Sequence, residues 1–245
     1  MKRFFIIILL LAISYAVTAR STAKELNIPH LDRAVTLVKE LQPENTSYKH
    51  KNGYVKWKEE DGADDNESHT DCSGFLTALF EKAYSLTPDH FERWLGKRRP
   101  LAKNYHEAIV NRNGFTRIES IAEIEPGDII AVRYPPGTRN TGHVLIVAET
   151  PRERKASRPE IKGTGQWEIT VIDSSESGHG KTDTRYMKGG IFCAGAGRGI
   201  LRVYTDLKGR FAGYTWSTFG NSEYYDQTVR PLVIGRPDLS VKTIN

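Results

Sequence analysis

Between residues 28 and 110 apolar side chains recur every three or four positions, and from residue 115 onward they gather into short β-branched runs bounded by Gly, Pro, Asn and Thr. A helical block followed by a strand block is the pattern of an α+β chain, because consecutive short strands pair antiparallel and the preceding helices cover a sheet face. The periodicity predicts helices over 28–41, 72–85, 89–95 and 101–110. In the first, Ile28, Leu31, Val35, Val38 and Leu41 form one stripe that Pro43 ends. Strands are predicted over 115–118, 128–134, 143–149, 167–173, 199–204, 211–216 and 232–234. Residues 44–70 read as an irregular polar loop, and their acidic run at 59–65 lacks the order of a calcium-binding loop. Residues 151–165, with Arg152, Arg154, Lys155, Arg158 and Lys162, read as an extended basic hairpin loop. No repeat or long linker divides the chain, so residues 24–245 are expected to form one domain.

The start of the chain is different. Lys2 and Arg3 precede an apolar stretch, residues 4–17, and small residues follow at Ala19 and Ala23. Those 14 residues are short for a bilayer span, which needs about 20, so residues 1–23 predict a secretory leader over a membrane anchor. The mature protein is then periplasmic or secreted, without stable membrane insertion. A formal charge of +5, spread along the chain, argues against a nucleic-acid partner. In an oxidising compartment the two cysteines, Cys72 and Cys193, have a disulfide as one reading. The other keeps Cys72 reactive and Cys193, among small residues, as a packing site.

Local chemistry favours a reactive Cys72. It lies in Thr70-Asp71-Cys72-Ser73-Gly74-Phe75, at the first turn of the second predicted helix. A helix N-terminus offers partial positive charge and unpaired N–H groups, which favour a thiolate and an oxyanion. Of seven histidines, His143 alone opens an apolar strand, Val144 to Ala148, making it the candidate base. If strands 143–149 and 167–173 are antiparallel neighbours, pairing Ala148 with Glu168 puts His143 opposite Asp173, the candidate group to orient the imidazole. Ser175 and His179, just beyond, are the alternatives. Aromatic residues 204–225 read either as a stacking wall beside the cleft or as the packed outer layer of the sheet.

Three motifs in order, Asp71-Cys72-Ser73-Gly74-Phe75 opening a helix, Pro126-Gly127-Asp128 leading a strand and Gly142-His143-Val144 opening the next, resemble the NlpC-type cell-wall peptidases, the bacterial branch of the papain-like cysteine peptidases. The resemblance covers about residues 50–175 and leaves the later strands as a C-terminal extension. It implies a papain-like, NlpC-type fold, with N-terminal helices packed on a central antiparallel β-sheet. It implies Cys72 as nucleophile, His143 as base and Asp173 as orienting residue. Tyr54 inherits the place of a tyrosine that helps form the oxyanion site, and Asp71 and Ser73 that of residues contacting the substrate's free amine. The expected activity is hydrolysis of amide bonds in peptidoglycan peptides by a monomer without metal or organic cofactor. An amidase or deamidase acting elsewhere, and a non-catalytic binding module, are the alternatives.

Overall fold

The computed structural model describes residues 27–238 apart from positions 59 and 188; the expected leader lies outside the described residues. Helices α1 (Pro29–Glu40), α2 (Cys72–Tyr84), α3 (Pro88–Leu95) and α4 (Ala102–Val110) form within a residue or two of the periodic segments. Their ends follow the local chemistry. Asp71 caps α2 by accepting the Gly74 N–H at 2.8 Å, and Ser85 closes that helix in the left-handed region.

The remaining chain supplies β4 (Phe115–Ile118), β5 (Ile129–Arg133), β6 (Gly142–Val147), β7 (Arg152–Arg154), β8 (Gly165–Ser175), β9 (Gly195–Thr205), β10 (Phe211–Thr215), β11 (Tyr224–Asp226) and β12 (Leu232–Pro237). They form one antiparallel sheet in the order β11-β10-β9-β8-β6-β5-β12-β4. β7 pairs with the first half of β8 as the far side of the basic hairpin, and β6 takes the second half. The architecture is therefore α+β, with a large antiparallel sheet and few helices. Its C-terminal strand lies inside the sheet, with β12 between β5 and β4.

Two apolar cores flank the sheet. On one face Leu76, Leu79 and Phe80 of α2 meet Ala131, Val144, Ile146 and Ile172. On the other, Leu145, Val147, Ile169 and Val171 pack with Leu201, Tyr214 and Ile234. The sheet curls around this second core: Ser120, after β4, bridges Arg210, before β10. Each fully buried Leu, Ile or Phe contributes about 1.5–3 kcal/mol, so the strands around the site are fixed by packing.

The irregular loop expected at 44–70 is a second sheet of three short strands, β1 (Thr46–Ser47), β2 (Tyr54–Lys56) and β3 (Glu67–His69). β3 runs directly into α2. β1 lies parallel to it on one side and β2 antiparallel on the other. Pieces of two and three residues are too short to show a period.

Candidate active site

Cys72 is the first residue of α2, where a backbone N–H has no partner within the helix. Gly74 is required behind it, because a Cβ there would collide with Thr70 Oγ1. Ser174 of β8 donates to the Thr70 carbonyl at 2.7 Å and ties the loop before Cys72 to the sheet. His143 is the second residue of β6. Gly142, at φ 152°, leads into the strand, and a Cβ there would run into the Val132 carbonyl.

His143 and Asp173 meet as anticipated, though the register differs from the one inferred. Ile146 pairs with Ile172 and Val147 with Val171, two residues from the expected alignment. An even shift leaves every side chain on its face, so Asp173 is diagonal to His143 and still within reach. His143 Nε2–H donates to Asp173 Oδ2 at 2.5 Å, and both residues are buried. The imidazole also stands within electrostatic reach of Cys72; with Nε2 engaged, Nδ1 is the nitrogen left for the thiol. Burial opposes the charged ring, but negative charge at Cys72 and the hydrogen bond to Asp173 prevail, pushing the His143 pKa up to about 10. The ring is therefore an imidazolium at neutral pH, the form that pairs with a thiolate.

Asp173 has two further partners. His179 Nε2 lies 2.9 Å from the same Oδ2, and Arg185 Nη2 lies 3.1 Å from Oδ1. Burial alone would raise its carboxyl, but the charges of His179 and Arg185 and the hydrogen bonds from His143 and His179 hold it well below the usual range. Asp183 grips Arg185 through Nε and Nη2 at 2.9 and 2.7 Å. Trp216 stands edge-on to His143, with ring centroids 5.3 Å apart. His143, Asp173 and His179 put three metal-binding atoms within 4.8 Å of one another. Both imidazoles, however, converge on one oxygen at 2.5 and 2.9 Å, tighter than the edge of about 3.4 Å in a tetrahedral zinc shell. The Arg185 guanidinium beside the other oxygen opposes a cation as well.

Tyr54 is not at this site, which corrects the position inferred for the oxyanion tyrosine. Its hydroxyl donates to Glu67 at 2.8 Å, and it lines a different cleft, of about 700 Å³, with Lys56, Trp57, Gly74 and Arg99. Tyr48 stands beside Cys72 instead. Ser47 pairs with His69 in the parallel β1–β3 ladder, so the next residue, Tyr48, falls beside Thr70 and shares a cleft with Cys72. Tyr54 pairs with the same His69 from the opposite side. Burial and negative charge at Cys72, Asp71 and Glu176 push the Tyr48 phenol above its ordinary value, so it stays protonated and can donate.

Asp71 and Ser73 do flank Cys72 in a cleft of about 130 Å³ shared with Tyr48, His50 and Arg139. Asp71 is partly committed: Oδ1 accepts Gly74 N–H and Ser73 Oγ–H at 2.8 and 3.0 Å, while Oδ2 faces His50 Nδ1 at 3.4 Å. Both cysteines are free, which sets aside a Cys72–Cys193 disulfide, and the Cys193 thiol lies 3.2 Å from Met187 Sδ. Of the aromatic stretch, Tyr204 and Tyr214 are packed in the sheet and Trp216 touches the site.

Fold and site together define an α+β protein with a cysteine, an imidazole and a carboxylate in contact at one end of a central strand. No family model and no solved structure matches the chain. It is 38% identical over 203 residues to "Uncharacterized protein R653" of Acanthamoeba polyphaga mimivirus, an alignment covering 79% of this chain and 88% of the relative. The chain belongs to the family of that protein.

Proposed function

We propose that this protein is an exported cysteine hydrolase of amide bonds, built on a papain-like, NlpC-type fold and acting on peptidoglycan peptides. The observation that carries the reading is His143 standing between the Cys72 thiol and the Asp173 carboxylate. Cys72 attacks the substrate carbonyl, and its own N–H with the Tyr48 hydroxyl receives the oxyanion. His143 gives its proton to the leaving amine, then takes one from the water that releases the acyl group. Asp173 keeps Nε2 protonated and leaves Nδ1 for the thiol. The protein's own groups suffice for these steps, in a monomer. The peptidoglycan substrate and the periplasmic or secreted location rest on the motif resemblance and the leader-like residues 1–23.

The test is incubation of the mature protein with purified peptidoglycan beside Cys72→Ala, with released fragments identified by mass spectrometry. Fragments from the wild type alone are expected. Their absence with a rapidly alkylated Cys72 would redirect the chemistry to another amide substrate. Their absence with an inert Cys72 would overturn the enzymatic reading in favour of a binding module.

A further inference from the structure

Both ring nitrogens of His179 face acceptors. Nε2 is 2.9 Å from Asp173 Oδ2 and Nδ1 is 2.7 Å from the main-chain carbonyl of Trp216. A carbonyl and an ionised carboxylate only accept, whereas a neutral imidazole owns a single N–H. The neutral ring would therefore set a lone pair against a lone pair in a place where its side chain is 1% exposed and water cannot intervene. The imidazolium satisfies both contacts.

The surrounding charges agree. Asp173 comes from β8, Asp183 and Arg185 from the loop that carries His179, and His143 from β6 with Cys72 of α2 beyond it. Asp183 accepts the His179 main-chain N–H at 2.7 Å. β9 approaches through Gly199 and the Ile200 N–H, while its Arg198 is tied to Glu149. Two carboxylates face one guanidinium here, and the His143 imidazolium is matched by negative charge at Cys72, so a charged His179 answers the second carboxylate.

We propose that His179 is held as an imidazolium and is a positioning residue for the Cys72–His143 pair. It keeps Asp173 ionised against a proton from His143. As a fixed cation whose ring lies 6.4 Å from that of His143, it also limits how tightly His143 retains the proton meant for the leaving amine. The proposal rests on the catalytic reading of Cys72 and His143. Removing a unit charge at that distance shifts the titration of the pair upward by roughly one to two pH units at an effective permittivity of 20–40.

The experiment is the pH dependence of Cys72 alkylation by iodoacetamide, in a Cys193→Ser background so that one thiol reports, compared with the same protein carrying His179→Gln. Both limbs of the rate profile should move to higher pH by one to two units. Superposed profiles, or a downward shift, would overturn the proposal. A second measurement needs no variant at His179: in 15N-histidine-labelled wild type, the ring recognised by its contacts to Trp216 should carry a proton on each nitrogen. A single protonated nitrogen would overturn the proposal even if His179→Gln does not fold. A Cys72 inert at every pH would sink the catalytic reading, while the nitrogen spectrum still decides the charge of His179.

Discussion

Asp173→Asn is nearly isosteric and puts one hydrogen-bond donor where the site holds only donors. Oδ2 receives His143 and His179, and Oδ1 faces Arg185, so either orientation of the amide turns its NH2 toward N–H groups. It also removes one of the two carboxylates that balance a 1%-exposed Arg185. Breaking a buried ion pair by losing one partner costs about 3–5 kcal/mol. In a domain of this size each kcal/mol moves the melting temperature by about 2–4 °C, so a fall of roughly 6–20 °C is expected by calorimetry at pH 7. Typical stabilities of about 5–15 kcal/mol leave most of that range folded. The sign with pH is determined. The Asp173 carboxyl is held well below its unfolded value of 3.8, so its contribution is complete above that pH and drains away as pH falls through the lowered native value. The gap between wild type and variant should therefore narrow in acid. Turnover should fall by about four orders of magnitude, because the imidazole loses the group that selects its tautomer. A variant melting within 2 °C of wild type at pH 7, or a gap that widens in acid, would refute this account of the cluster.

Other perturbations separate neighbouring roles. Tyr48→Phe should lower kcat about 10²-fold by removing an oxyanion donor, whereas Tyr54→Phe, whose hydroxyl serves Glu67, should leave it unchanged; steady-state kinetics on the pair decides. Arg202 is fully buried and donates to the carbonyls of Ser157, Arg158, Ser217 and Phe219, so Arg202→Met should cost at least about 3 kcal/mol in denaturant unfolding and loosen the turn carrying Trp216. His106 is buried with neither ring nitrogen bonded, and burial lowers its pKa to about 4. The unfolded chain takes up that proton first, so the contribution of His106 to stability should be level above pH 6.5 and fall by about 1–2 kcal/mol toward pH 4, a loss His106→Leu should remove from the unfolding profile.

Much of the site was legible because its parts sit where secondary structure begins. Asp71 before a periodic apolar run reads as a helix cap, which puts Cys72 at the first turn, and Gly142-His143 before a β-branched run puts His143 at a strand's start. Asp173 was legible through parity alone. The register slipped because β8 is longer than its apolar run and is shared lengthwise by β7 and β6, which no single strand's pattern reveals. Tyr48 was out of reach because it depends on a two-residue parallel ladder. Arg185 and Asp183 were hidden because they lie in the long loop between β8 and β9, and only the folded sheet brings that loop back over Asp173. Arg202 lies in the run predicted as a strand over 199–204, and its burial follows from two loops closing over it.

The position of β12 bears on the timing of assembly. β4 and β5 lie close together in the chain, yet in the sheet they are separated by residues 232–237, and Ile109 of α4 rests against Gly235 of that late strand. Until residues 232–237 are in place, the half that carries Cys72 and His143 has a gap running through its floor. Folding must then wait for that late strand, and its many distant pairings make it slow. A chain cut before residue 232 would be an open sheet with β4 and β5 unpaired along the gap, and a substrate for quality control.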